Sequence, residues 1–158
     1  MLAICIEDFV ATGDLGPFRR DMGRTETAEI LRRHGFELQS VPQQPSFCSI
    51  GHILFDFGEL PETNACSISL YFPHSITRAS DSYDFSRWPD SRIKWELGRF
   101  ASKMTLEDAI LHFPEFEPQH FVSTQSATIS NRDSHVDLIF EYCETSGNSE
   151  LIIAQANH

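Results

Sequence analysis

Apolar and polar residues alternate along several runs of this chain. Ile53, Phe55 and Phe57 alternate with Leu54 and Asp56, and Ile68, Leu70 and Phe72 alternate with Ser69 and Tyr71. Val136, Leu138, Phe140 and Tyr142 alternate with Asp137, Ile139 and Glu141. A period of two sends successive side chains to opposite faces, so each run predicts a half-buried strand. Residues 151–154 read as a final strand, and further strands are expected near 92–97, 37–41 and 121–129. Polar loops at 59–65, 131–134 and 145–149 separate them.

Three stretches carry helix signals instead. Residues 7–12 form a short helix that stops at Gly13. A second helix starts after Gly23 as N-cap, with Glu26 at the third helical position, and ends near His34 before Gly35. Its apolar stripe is Thr27, Ala28, Ile30 and Leu31. Thr105 caps the third, Asp108 completes a capping box, and Pro114 stops it. Ala109, Ile110 and Phe113 supply the third helix's stripe. Met22 and Met104 each precede a cap, where a hydrophobic residue staples the chain to the first turn.

The same order of blocks occurs twice. Leu15, Gly16, Phe18 and Met22 recur as Leu97, Gly98, Phe100 and Met104. The run 52–57 parallels 135–140, and 68–70 parallels 151–153, one residue out of the first register. The expected fold is therefore α+β, a tandem duplication of a helix followed by antiparallel strands, with the helices packed on one face of the sheet. The copies run over 1–77 and 94–158, and a polar connector, 78–93, joins them into one compact domain.

Composition narrows the class. A chain of 158 residues, 41% hydrophobic and 22% charged, has the makeup of a globular domain. The longest apolar run, 1–6, is far shorter than the ~20 residues that span a bilayer. The first basic residue is Arg19, so no secretory leader is visible. Cys5, Cys48, Cys66 and Cys143 are scattered with no C-x-x-C pair, which reads as reduced thiols in a reducing compartment.

Charge adds direction. The net charge is −11, and it is uneven: 34–77 contain no Lys or Arg, and 105–158 set nine acids against Arg132 alone. Such a surface repels phosphate backbones, which argues against nucleic acid, and draws in cationic proteins. Catalytic constellations are missing: there is no G-x-S-x-G elbow, Walker A loop or H-E-x-x-H. The seven histidines show no metal-ligand spacing, and neither a cofactor nor a metal is expected. His112, His120 and Cys143 are the candidates for an alternative reading, a small hydrolase or ligand-binding domain using a cleft between the two copies. The segment 81–95 mixes Tyr83, Phe85, Trp88 and Trp95 with charges, as protein interfaces do.

The opening Ile6-Glu7-Asp8-Phe9-Val10, with Thr12-Gly13 and Leu15-Gly16-Pro17-Phe18, then Asp21-Met22-Gly23-Arg24 and Glu26, resembles a group of small bacterial proteins. Their pattern is of the kind aspartate-Phe-aliphatic-x-Thr-Gly-x-aromatic-Gly-Pro, followed by Gly-Met-Ser/Thr-Arg-x-Glu. The 52–57 run resembles their Tyr-Gly-x-Ile-Glu-Phe-x-Phe segment. These proteins are found beside polymorphic toxins and are taken to be immunity proteins. Asp21 stands where the pattern has Gly, and Arg32-Arg33-His34-Gly35 replaces its Leu-Gly-x-Pro helix end. The resemblance implies a non-enzymatic inhibitor in the bacterial cytoplasm that binds and neutralises a cognate toxin domain. The acidic balance implies a basic toxin. The expected docking residues are Asp133, Asp137, Glu141, Glu144 and Glu150, with Tyr83, Trp88 and Trp95 as aromatic anchors.

Overall fold

The computed structural model describes residues 1–41, 43–58, 66–72, 91–119, 125–144 and 146–157. Strands β1 (Leu2–Cys5), β2 (Gln39–Val41), β3 (Gln44–Ile50), β4 (Ile53–Asp56), β5 (Ser67–Tyr71), β6 (Ile93–Glu96), β7 (Glu117–Pro118), β8 (Ser126–Asn131), β9 (Val136–Cys143) and β10 (Asn148–Ala156) dominate it. Helices α1 (Ile6–Thr12), α2 (Arg24–Arg33) and α3 (Leu106–His112) are short, and a 3-10 turn covers Gly98–Ala101.

Eight strands form one antiparallel sheet in the order β2-β3-β4-β5-β10-β9-β8-β7, and β1 pairs with β6 in a separate parallel ribbon. This overturns the expected α+β tandem duplication. The structure is mostly β; the chain opens on a strand, and strands from both halves share a single sheet. The reason lies in helix length. Helices of seven, ten and seven residues bury three, two and one side chains respectively, so most of the core surface is supplied by strands.

Register explains the core. Cys48, Phe55, Ile68, Ala156 and Val136 stand side by side across β3, β4, β5, β10 and β9, and all are buried. Ile50, Ile53, Leu70, Ala154, Leu138 and Ile129 form the next row, and they too are buried. α1 packs on β9 and β10, and α3 on β10, and their buried side chains join the same core. Phenylalanines fill the space beneath them: Phe18 meets Phe55 edge-on at 5.1 Å, and Phe100 lies 5.6 Å from Phe72 and 5.8 Å from Phe113.

The helix ends follow local chemistry. Gly13 (φ 80°) ends α1 in the left-handed region, which glycine enters without a Cβ clash. Thr105 and Asp108 form the reciprocal capping box at the start of α3. One expectation on that helix fails. Ile110 is exposed, because the seven-residue helix turns Ala109 inward and the next residue lies about 100° round the axis.

Candidate protein-docking face

The opposite face of the sheet is built by the same register. Ser49, Leu54, Ser69, Gln155, Asp137, Ser130 and Glu117 run across seven strands in one row. Tyr71, Ile153, Ile139 and Thr128 form the next row, and Glu141 stands beside Ser126 beyond it. Every charged residue in the eight strands is a carboxylate: Asp56, Glu117, Asp137, Glu141 and Glu150.

Their environments differ. Asp137 is half-buried, and neutral donors hold both its oxygens: the Ser130 hydroxyl donates to Oδ1, and the Asn157 amide donates to Oδ2 at 2.6 Å. Gln155 in turn donates to Asn157 Oδ1 at 2.8 Å, so the carboxylate is fixed in place by neutral groups. Glu141 is exposed. Among the described residues no Lys or Arg pairs with either one. Glu117 lies 3.5 Å from Arg132 at the sheet edge.

The other expected docking residues are dispersed. Asp133 is exposed in the β8–β9 turn, where Asn131 Oδ1 accepts from its backbone N–H at 2.9 Å. Glu144 is exposed just past the other end of β9, so at ~3.4 Å per residue most of a strand separates them. Glu150 stands directly opposite Glu141 in the register, but it is covered. It is 6% exposed and lies 3.7 Å from Lys103, whose side chain is also nearly buried. The segment carrying Lys103 runs along the end of β10, where Leu151 donates its N–H to Met104 O at 2.8 Å. Trp95 sits in β6, half-buried against the core and paired with Ile4. Tyr83 and Trp88 lie outside the described residues.

The structure therefore brings Asp137 and Glu141 together on one face with Ile139 between them. Sequence reasoning did not assign Tyr71, Ile139 and Ile153 to the face as docking residues. The signal was an isoleucine on the polar side of β9's alternation.

The residues of the alternative reading are not gathered into a site. At sheet level the two halves meet as a hydrogen-bonded ladder, β5 against β10, where a cleft was expected. His112 is exposed at the end of α3, Cys143 is half-buried at the end of β9, and His120 lies outside the described residues. Among the described residues no group of three or more His, Cys, Asp and Glu is placed to hold a metal. No helix among them is long and apolar enough to cross a membrane.

Compared with protein-family models, with curated proteins and with solved structures, the chain matches none.

Proposed function

We propose that this protein is a non-enzymatic immunity protein, acting in the bacterial cytoplasm, that binds and neutralises a basic toxin domain through the outward face of its sheet. One observation carries the reading: that face offers carboxylates with no strand-borne cation to compensate them, at Asp137 and Glu141. A cationic partner gains from this arrangement twice. Long-range attraction speeds its encounter, and a carboxylate already held by Ser130 and Asn157 loses little freedom when a guanidinium arrives.

The test is calorimetry between the whole chain and the toxin-like C-terminal domain encoded beside its gene, at about 50 and 500 mM salt, which bracket weak and strong screening. The expected result is nanomolar binding that weakens with salt. Absence of binding by the folded protein overturns the reading. Tight binding indifferent to salt keeps inhibition and removes the acidic face from it.

A further inference from the structure

Resting on that reading, we propose that the partner docks through an amphipathic helix laid across β5, β10 and β9, its apolar ridge on Tyr71, Ile153 and Ile139 and its Lys or Arg side chains reaching Asp137 on one side and Glu141 on the other.

The geometry of the face carries this. Tyr71 is opposite Ile153, and Ile153 is opposite Ile139, so the three form one line across three neighbouring strands. Tyr71 is 40% exposed, and both isoleucines are half-buried, so apolar surface remains for a partner to cover. Strands lie ~4.8 Å apart, which makes the line ~10 Å long. Helical residues i, i+4 and i+7 rise ~10.5 Å, so an apolar ridge of that spacing meets all three.

The flanks fit as well. Asp137 and Glu141 lie two residues to either side of Ile139 on β9, ~7 Å each way. The ~14 Å between them brackets a helix ~10–12 Å across, leaving each carboxylate beside one edge of its apolar stripe. The result is an apolar centre with a charged rim, the anatomy of an energetic interface.

An added strand is the wrong occupant here. Strand addition uses unpaired backbone groups at a sheet edge, whereas β5, β10 and β9 each have neighbours on both sides. Only side chains are on offer at this row. Opposite charge favours the partner too, because neither Lys nor Arg occurs in the eight strands and the Lys103 beside them is already paired with Glu150, the neighbour of Glu141.

The experiment measures affinity and rates for the neighbouring toxin domain with the full-length protein and three variants. Ile139→Thr keeps a β-branched residue in the strand while removing apolar surface, Tyr71→Ser removes the exposed ring, and Glu141→Lys reverses one rim charge. The first two are expected to weaken binding about tenfold each, mainly through faster dissociation. Glu141→Lys is expected to slow association about tenfold at low salt and less at high salt. Hydrogen exchange on the toxin should show a helix newly protected in the complex.

Wild-type affinity retained within about threefold by both Ile139→Thr and Tyr71→Ser overturns the docking geometry and leaves the immunity reading standing. Protection of a toxin strand or loop in place of a helix does the same. No binding by the wild type overturns both. If Ile139→Thr fails to fold, Tyr71→Ser decides alone, since that ring is largely outside the core.

Discussion

At the scale of single residues, two glycines show how much a neighbour matters. Gly16 (φ 59°) and Gly147 (φ 69°) both sit in the left-handed region, where an L side chain is strained. A Cβ on Gly16 would meet the backbone oxygen of Ala3 at 2.6 Å, because β1 passes over the turn; a Cβ on Gly147 meets nothing within 4 Å. Gly147→Ala is expected to cost about 1 kcal/mol, the price of conformation alone. Gly16→Ala should cost about 3 kcal/mol, since backbone must also move. Urea unfolding of the two variants checks the difference; equal losses would mean that β1 yields easily.

His52 gives a pH dependence at the same scale. Burial holds its imidazole below the ordinary value of 6.5. The unfolded chain thus takes up this proton first, so the stabilising contribution is present above pH 6.5 and is lost as pH falls below it. The unfolding midpoint should drop less between pH 7.5 and 5.5 in His52→Gln than in the wild type, over a range about one unit either side of that value. Identical slopes would show that other groups set the acid sensitivity. Cys66 is displaced the other way: burial, and secondarily the nearby Asp56 charge, push its thiol up to about 12. Such a sulfur is inert at neutral pH, which suits its place beside the sheet core.

At the scale of elements, the caps were legible because their partners are three residues away. Thr105 and Asp108 satisfy each other's backbone donors, with Asp108 N–H donating to Thr105 Oγ1 at 3.2 Å. Thr105→Ala should lower stability by about 1 kcal/mol and reduce amide protection across 106–109, as read by hydrogen exchange. A loss under about 0.3 kcal/mol would mean that Met104, Ala109 and Phe113 hold α3 through packing alone. β4 and β9 were legible for a similar reason, their strict alternation. β3 was not expected as a strand; it forms one because residues 47–50 pair with β4 and Gln44, Cys48 and Ser49 pair with β2. Glu150 shows the same limit for a site residue. Its strand position pointed outward, yet a cation 47 residues earlier, Lys103, covers it.

At the scale of the whole molecule, the β5–β10 ladder joins the halves into one sheet. Cut between β5 and β6, each half loses a core row partner and exposes a bare strand edge. The full chain is therefore expected to unfold in one cooperative step by both circular dichroism and Trp fluorescence. Neither half expressed alone should show a cooperative transition. A half that unfolds cooperatively by itself would show that its four-stranded meander holds its own core.

Helix ends set by glycine and capping partners, strands set by alternation, and an acidic balance set by composition could all be read along the chain. Hydrogen-bond range and a two-residue period are both read within a few positions of chain. Which strands meet emerges only in the folded molecule. The pairing of β5 with β10, the parallel β1–β6 ribbon, the covering of Glu150 by Lys103 and the line of Tyr71, Ile153 and Ile139 all join residues far apart in the chain. Any edge strand can hydrogen-bond any other, so the partner is chosen by which arrangement closes the apolar core, a property of the whole chain at once.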